Sequence, residues 1–299
     1  MKLINPEVRI ETTNLCNSNC IMCPRESLTR PHATMGFQHF KKLVAESKKL
    51  GAETISLFGF GEPLVDPTIC EKVAHVTTLG LESIITTNGS LLTEKKTHDL
   101  LQAGLSQIRF SVHGLGKTYD NTHIGLSWFK TLRNINYFLV MDGGRTTTHV
   151  SVIPMHSENI DAIKEFWLGM VDYLEIWRPH NWVYGKNYRR NNRRKSTCGR
   201  PFSGPVQINA DGKMMVCCFD YNAEMTVGDT YESTIEDILK GDKFNKIVKK
   251  HALGDLIGLP CEKCDQLNEY TEEDYPLLYS NRDKEKKINV TSSTKFELI

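Results

Sequence analysis

The chain has no long hydrophobic run, almost no net charge and no export signal. Its 299 residues carry a formal net charge of +1, which gives no reason to expect a nucleic acid or an anionic membrane as partner. No apolar stretch approaches the roughly 20 residues that a membrane-spanning helix needs. The opening residues Met1–Arg9 lack the apolar segment of a secretory signal, so we expect a cytoplasmic protein.

The composition is otherwise ordinary for a soluble globular protein, with 39% hydrophobic and 24% charged residues. Nine cysteines are present. Without an export signal they fit a reducing cytosol, where clustered thiols bind metal more often than they form disulfides. Extracellular disulfide use is the alternative to this interpretation.

Three of these cysteines form one short motif. Cys16, Cys20 and Cys23 have C-x3-C-x2-C spacing directly after a strand-like segment. Thiolates are soft ligands that select iron–sulfur clusters, zinc or Cu(I). Ordinary iron–sulfur clusters take four cysteines, so either a fourth cysteine comes from elsewhere or one iron is left open for chemistry.

From residue 7 to about 180, predicted strands and helices alternate, which indicates a parallel sheet with right-handed crossovers. The predicted strands are Val8–Thr12, Thr54–Phe58, Leu81–Thr86, Ser106–Val112, His149–Ile153 and Tyr173–Trp177. The predicted helices are Phe37–Leu50, Asp66–Leu79, Thr93–Ala103 capped by Thr93, Trp128–Met141 and Ile160–Met170. This length suits a partial (β/α)6 barrel better than a full eightfold barrel, which takes about 250 residues.

The pattern changes after Trp182. A polar, basic stretch at Asn187–Lys195 has the composition of a linker, and a small cysteine-rich α+β unit follows it. Its predicted elements are a hairpin of Val206–Ile208 and Met214–Cys217 and a helix at Thr234–Leu239. We therefore expect an α/β core domain at 1–185, a second domain at 186–270 and a poorly ordered tail at 271–299.

The unusual sequence features of the core fall directly after its predicted strands. The cysteine loop follows the first strand, Gly59–Pro63 (GFGEP) the second and Thr86–Gly89 (TTNG) the third, while Ser111–His113 closes the fourth. In a parallel barrel these positions share one rim, which carries the active site. Taken singly, Asn88–Gly89 is also an ordinary turn and Ser111 an ordinary strand residue.

Over residues 7 to 180 the chain resembles the radical SAM superfamily. The resemblance implies that Cys16, Cys20 and Cys23 hold a [4Fe–4S] cluster whose open iron binds S-adenosylmethionine (SAM). Reductive cleavage of SAM then gives a 5′-deoxyadenosyl radical that abstracts hydrogen from substrate. The implied SAM-binding residues are Gly59, Gly61, Glu62, Asn88, Ser111 and Ile153, while Met22 departs mildly from a position that is often aromatic.

The second unit resembles the SPASM/Twitch type of extension. Cys198, Gly212 and Cys217 match its C-x9–15-G-x4-C opening, and Cys261 and Cys264 supply a C-x2-C pair. The resemblance implies one auxiliary [4Fe–4S] cluster with four cysteine ligands: Cys198, Cys217, Cys261 and Cys264. Cys218 is an alternative to Cys217, and a structural zinc ion is an alternative to the cluster.

Residues outside these motifs receive weaker assignments. Cys70 is expected to be a buried, inert thiol. Arg178, His180, Asn181, Trp182 and Tyr184 follow the sixth strand and face substrate or pack the two units together. His113 and His156 also follow strands and either move protons or are structural. The basic stretch Arg189–Lys195 binds an acidic group or is a solvated linker.

These observations predict a radical SAM oxidoreductase or maturase that acts on a small molecule or a peptide. A low-potential electron donor such as a flavodoxin or a ferredoxin is the implied partner. Two other classes stay open: a non-enzymatic zinc- or cluster-stabilised binding module that uses its basic linker, and a SAM-dependent methyltransferase without radical chemistry. The methyltransferase would not depend on Cys16, Cys20 or Cys23.

Overall fold

The computed structural model describes residues 1–155, 158–182, 193–270 and 276–280. Its strands are β1 Glu7–Ile10, β2 Asn19–Cys20, β3 Thr54–Ser56, β4 Glu82–Thr87, β5 Gln107–Ser111, β6 His123–Ile124, β7 Thr147–Val152, β8 Tyr173–Ile176, β9 Val206–Ile208, β10 Lys213–Met215, β11 Thr226–Asp229 and β12 Leu277–Ser280. Its α-helices are α1 Phe37–Lys49, α2 Ile69–Thr78, α3 Glu94–Gln102, α4 Lys117–Thr122, α5 Trp128–Asp142, α6 Ile160–Trp167, α7 Arg200–Ser203, α8 Ile235–Lys240 and α9 Asp242–Leu253.

In the described part of the chain, ten strands form one sheet in the order β11-β10-β9-β1-β3-β4-β5-β7-β8-β12. The six strands β1, β3, β4, β5, β7 and β8 pair in parallel, with helices in the connections between them. The predicted partial (β/α)6 barrel is therefore confirmed, and each predicted strand lies within two residues of its observed bounds.

Helix boundaries follow local hydrogen bonding. Helix α3 begins after Thr93, whose hydroxyl accepts from the amide of Lys96, as the sequence predicts. Helix α2 begins at Ile69 rather than at the predicted Asp66. The carboxylate of Asp66 accepts from the amide and hydroxyl of Thr68, which holds this segment in a turn before the helix.

The core lies between the parallel sheet and the helices on its outer side. Val8 and Ile10 of β1 are completely buried, as are Phe40 of α1 and Val73 of α2. Burial of such side chains is worth about 1.5–3 kcal/mol each, which fixes the strands whose carboxyl ends carry the site. No helix among the described residues has both the length and the apolar character to cross a membrane.

Two strands extend the sheet in ways that the sequence did not predict. Strand β9 of the second unit pairs in parallel with β1, so the hairpin β9–β10 continues the barrel sheet. Strand β12 pairs antiparallel with β8 at the other edge. The expected poor order of the tail is therefore wrong for Leu277–Ser280, while residues 271–275 and 281–299 lie outside the described residues.

Candidate active site

The three cysteines of the first motif lie in one loop at the carboxyl end of β1. Cys16, Cys20 and Cys23 are each partly buried, and the amide of Cys23 donates to the carbonyl oxygen of Cys20 over 3.0 Å. Burial, with a contribution from the neighbouring thiols, raises the pKa of Cys20 to about 11 and that of Cys23 to about 12. Thiols that repel each other as thiolates are stabilised by a bound metal group, and three soft donors in one loop fit an iron–sulfur cluster.

A site for a single metal ion needs several ligand side chains grouped around one point. Within residues 1–155, 158–182, 193–270 and 276–280, no three His, Cys, Asp or Glu side chains are grouped as ligands of one metal ion. A cubane makes a different demand, because each cysteine binds its own iron atom. The cysteine assignments rest on donor chemistry and loop position, and they stay predictions.

The GFGEP loop packs directly on the cysteine loop. The amide of Glu62 donates to the carbonyl oxygen of Leu15 over 2.9 Å. A Cβ atom on Gly61 would lie 2.1 Å from the carbonyl oxygen of Thr13, so only glycine allows this approach. The predicted SAM-binding residue Gly61 therefore borders the cysteine loop through its backbone, whereas a Cβ atom on Gly59 would lie 2.5 Å from the side chain of Glu11.

The buried carboxylate of Glu62 joins the GFGEP loop to the loop after β4. It accepts from the hydroxyl of Thr87 over 2.6 Å and from the amide of Asn88 over 2.7 Å. Burial raises the pKa of Glu62, and these hydrogen bonds oppose the rise. The side-chain amide of Asn88 in turn donates to Asn17 of the cysteine loop over 3.0 Å. Glu62 and Asn88 thus lie beside the first cysteine motif, where the sequence places SAM.

The last two predicted SAM-binding residues lie at adjacent strand ends. Ser111 ends β5 and is paired in register with Ser151 of β7, and Ile153 follows β7 directly. The amide of Ile153 donates to Nδ1 of His113 over 3.0 Å. All six predicted SAM-binding positions therefore follow or end neighbouring parallel strands, and their contact with SAM stays a prediction. His156 lies outside the described residues.

A buried ion pair that the sequence analysis missed connects the core to the second unit. Both guanidinium Nη atoms of Arg30 donate to the carboxylate of Glu11 at 2.7 Å. Glu11 also accepts from the amides of Phe60, at 2.8 Å, and Ala210, at 3.0 Å. Nε of Arg30 donates to the carbonyl oxygen of Tyr221 over 2.9 Å. These residues are far apart in the chain, so no local pattern indicates the pair.

An aromatic cluster lies between the two cysteine motifs. The indole nitrogen of Trp182 donates to the carbonyl oxygen of Met22 over 2.7 Å. The Trp182 ring lies 4.0 Å from the ring of His180, 5.4 Å from Phe60 and 5.9 Å from Phe219, measured between centroids. Trp182 therefore contacts both units and the cysteine loop. Tyr184, which the sequence analysis also named, lies outside the described residues.

Three cysteines of the second unit lie near the half-buried side chain of Arg200. Burial lowers the pKa of Arg200, but the nearby thiols of Cys218, Cys217 and Cys198 outweigh it and raise the pKa. Nη1 of Arg200 is buried and makes no hydrogen bond to any described residue. Burial and neighbouring thiols raise the pKa of Cys261 to about 12. A guanidinium nitrogen without a partner in the described part of the chain, beside several thiols, fits an anionic group such as a cluster or a zinc ion with four thiolates.

The thiols of Cys217 and Cys218 interact with each other but differ in their further contacts. The amide of Phe219 approaches Sγ of Cys217 at 3.4 Å, whereas Cys218 lines a cavity of about 200 Å³. This cavity lies between the GFGEP loop and the β9–β10 hairpin. Its wall combines aromatic and polar residues, among them Phe60, Trp182, Phe219, Arg9, Glu11 and Gln207.

The described end of the basic stretch packs on the second unit. Nη2 of Arg194 donates to the carbonyl oxygen of Cys261 over 3.3 Å, and the amide of Lys195 donates to that of Leu267 over 2.7 Å. These residues are therefore fixed on the second unit although Arg194 is exposed to solvent, and the remainder of the stretch, 189–192, lies outside the described residues. Cys70 is partly buried against the core, in keeping with a structural thiol.

Two family patterns match the chain. The radical SAM superfamily matches residues 10–166, and the SPASM iron–sulfur cluster-binding domain matches residues 198–265. Both predicted resemblances are confirmed. The two domains imply a SAM-binding [4Fe–4S] cluster together with auxiliary cluster binding, as the sequence predicts.

Curated relatives match over part of the chain. A probable GTP 3′,8-cyclase of Methanothermobacter thermautotrophicus is 37% identical over 114 residues, which are 38% of this chain and 37% of that protein. The AdoMet-dependent heme synthase of Methanosarcina barkeri is 33% identical over 113 residues, which are 37% of this chain and 32% of that protein. The chain thus matches about a third of the length of these relatives, which supports enzyme status without giving the substrate.

Solved structures share the fold over most of the chain. BtrN in complex with AdoMet and 2-DOIA has a TM-score of 0.65 at 22% identity and covers 92% of this chain and 98% of that chain. SuiB of Streptococcus suis bound to the precursor peptide SuiA has a TM-score of 0.69 at 14% identity, with 88% and 70% coverage. With a family match over more than half of its residues, the chain belongs to the radical SAM superfamily.

Proposed function

We propose that the protein is a radical SAM enzyme that oxidises an alcohol group of a small polar molecule. The cavity between the GFGEP loop and the β9–β10 hairpin carries this proposal. Its volume of about 200 Å³ lies below the usual range for drug-sized ligands, about 300–1,000 Å³, and so suits a small molecule better than a peptide. Arg9 and Gln207 give it polar groups that suit hydroxyl or amino substituents.

The cofactor ligands follow from the cysteine motifs. Cys16, Cys20 and Cys23 hold the [4Fe–4S] cluster that binds SAM, next to Gly59, Gly61, Glu62, Asn88, Ser111 and Ile153. Cys198, Cys217, Cys261 and Cys264 hold one auxiliary [4Fe–4S] cluster, with Arg200 as counter-charge. When bound, these groups supply a hydrogen-abstracting 5′-deoxyadenosyl radical and a one-electron acceptor.

The chain contributes orientation, exclusion of water and a site for a proton. Phe60, Trp182 and Phe219 form the aromatic part of the cavity wall and shield its contents from solvent. The carboxylate of Glu11 accepts from Arg30 and from the amides of Phe60 and Ala210, so it fixes this part of the cavity wall. Oxidation of CH–OH to C=O removes one hydrogen atom, one proton and one electron, and the imidazole of His180 is placed to take the proton.

Maturation of a peptide is the second candidate. The fold shared with SuiB, which is bound to its precursor peptide, supports it only at the level of architecture. That protein is longer, since the shared region covers 70% of its chain. The small cavity favours the alcohol oxidation. We also propose a low-potential flavodoxin or ferredoxin as electron donor, and a cytoplasmic location that keeps the nine cysteines reduced.

Anaerobic purification and assay test the proposed function. Two cubanes predict about eight irons and eight sulfides per chain, and reduction with SAM should yield 5′-deoxyadenosine. Cys16→Ala, Cys20→Ala and Cys23→Ala should each abolish this product, whereas Cys70→Ala should not. Zinc in place of iron, without SAM cleavage, contradicts the proposal in favour of a binding module, and a methylated product without cysteine dependence indicates a methyltransferase.

Substrate class is tested by isotope transfer. Candidate alcohols deuterated at the carbinol carbon are incubated with enzyme, SAM and reductant. Deuterium in 5′-deoxyadenosine together with a ketone product supports alcohol oxidation. Deuterium transfer only from a peptide substrate contradicts it and favours peptide maturation.

A further inference from the structure

His123 lies directly against the first cysteine motif, although it is 100 residues beyond Cys23 in the chain. Strand β6 pairs antiparallel with β2, and this register sets His123 opposite Cys20. Nδ1 of His123 lies 3.3 Å from Sγ of Cys20, and the imidazole is completely buried. A buried polar ring at this distance from a sulfur is either a donor to it or an acceptor from it.

The second ring nitrogen decides between these roles. Nε2 of His123 accepts from the backbone amide of His113 at 3.0 Å, so Nε2 carries no hydrogen. A neutral imidazole has one N–H group, which must then be at Nδ1. This hydrogen therefore points towards Sγ of Cys20. The backbone of a neighbouring loop thus fixes the tautomer, as a hydrogen-bond partner on the far ring nitrogen does for histidines that bind metals.

The ring is held firmly in this orientation. It stacks on Tyr119 at 4.3 Å and on His113 at 4.8 Å, with interplanar angles of 20° and 14°. The hydroxyl of Tyr119 donates to Thr131, and His113 accepts from the amide of Ile153. Both neighbours of the ring are thus fixed themselves, so His123 cannot turn Nδ1 away from Cys20 without disturbing them.

Ser18 is a competing donor that is engaged elsewhere. Its hydroxyl oxygen lies 3.3 Å from Sγ of Cys20. The hydroxyl also lies 3.1 Å from the carbonyl oxygen of Ile124, which can only accept. A serine has one hydroxyl hydrogen, so Ser18 cannot donate to both at once. The Nδ1–H group of His123, in contrast, has Sγ of Cys20 as its acceptor and is not shared with a second acceptor among the described residues.

We propose that His123 donates a hydrogen bond from Nδ1 to the thiolate of Cys20 and thereby raises the reduction potential of the cluster that Cys20 holds. His123 is a positioning residue in this role, since it acts through Cys20. Reduction adds negative charge to the cluster, and a donor to a ligand sulfur stabilises the more negative state. The inference rests on the proposed cluster ligands.

Two variants of the full-length, cluster-loaded protein separate the hydrogen bond from the ring. His123→Phe keeps a stacked ring without the donor, and His123→Asn keeps an amide nitrogen near the Nδ1 position. Redox titration followed by EPR gives the midpoint potential, with the first cluster identified by its response to SAM. We expect the equilibrium constant for reduction to fall about tenfold in His123→Phe, which is about 59 mV for one electron, and less in His123→Asn.

A His123→Phe cluster that keeps the wild-type potential overturns the proposal. If this variant loses its cluster, the wild-type protein made with ¹⁵N-histidine decides instead. Pulsed EPR of its reduced cluster should detect a weak ¹⁵N coupling that persists in the His98→Phe control on α3. Absence of the coupling overturns the proposal. Failure of the proposed function is distinct, because the wild-type protein would then bind no SAM-responsive cluster.

Discussion

Trp182 binds the backbone of Met22 through its indole nitrogen, with 2.7 Å between Nε1 and the carbonyl oxygen. Met22 directly precedes the last cysteine of the first motif, and Trp182 follows the last parallel strand of the barrel. The backbone of Trp182 has φ +51°, a conformation that is uncommon for residues other than glycine. Such a conformation persists only where its surroundings hold it, so we infer that this contact sets the position of the cysteine loop.

Trp182→Phe removes the donor and keeps an aromatic ring. A net hydrogen bond is worth about 0.5–1.5 kcal/mol, so we expect iron loss to a chelator to become about two- to tenfold faster. Iron release is followed by absorbance under anaerobic conditions. Trp128→Phe on the outer helix α5 is the matched control and should leave the rate unchanged. Equal rates in the Trp182 and Trp128 variants would show that the contact does not stabilise the loop.

Gly61→Ala tests the close approach of the GFGEP loop to the cysteine loop. The added Cβ would lie 2.1 Å from the carbonyl oxygen of Thr13, so one of the two loops must move. We expect bound iron to fall from about eight to about four per chain, because only the first cluster is affected. At Gly36 an added Cβ meets no atom within 4 Å, so Gly36→Ala is the control. Full iron content in both variants would contradict the geometry.

Lys72→Met tests a buried ion pair. Lys72 and Asp66 are both completely buried and paired, and Lys72 also donates to the carbonyl oxygen of Met35 over 2.6 Å. Removing one partner leaves a buried charge, which costs about 3–5 kcal/mol in the free energy of unfolding. The Lys95–Asp99 pair is a contrast, because the side chain of Lys95 is 84% exposed. Lys95→Met should have a much smaller effect in urea denaturation, and a similar cost in both variants would refute the prediction.

The buried carboxylate of Glu175 should make the free energy of unfolding depend on pH in acid. Burial raises its pKa, but Arg109 and His149, which contact the carboxylate at 3.1 and 2.9 Å, outweigh burial and hold the pKa at about 2. The ordinary value is 4.5, so the ionised carboxylate stabilises the fold above pH 4.5. This contribution, on the order of 3 kcal/mol, is lost as pH falls towards about 2.

Glu175→Gln should remove this part of the pH dependence, as measured by urea denaturation between pH 5 and about 2.5. Glu94→Gln, at an exposed position on α3, should retain the wild-type slope. A Glu175→Gln variant with the wild-type slope would mean that the carboxylate is not stabilised by its buried neighbours.

Local patterns predicted the barrel well. Strands such as Thr54–Ser56 are short runs with β-branched residues, and α3 has a side-chain cap at Thr93, so each carries its own signal. The cysteine motifs predicted the two cofactor regions for a similar reason, because the three cysteines proposed as ligands of the first cluster lie within eight consecutive residues.

Contacts between distant segments could not be predicted in this way. The ion pair of Glu11 with Arg30 and the pairing of β9 with β1 depend on residues that meet only after folding. His123 shows the same limit, since a single histidine in a sequence does not reveal whether it is a ligand, a donor or a core residue. Its role follows only from the tautomer that its neighbours impose.

The parallel pairing of β9 with β1 has a consequence for how the protein can be divided. Val8 and Ile10 form an interior strand only while β9 covers their open edge. A fragment that ends before residue 198 would expose this apolar edge, which is a template for association with other chains. We therefore expect the SAM-binding half alone to aggregate, so that the two cluster regions have to be expressed and engineered as one unit.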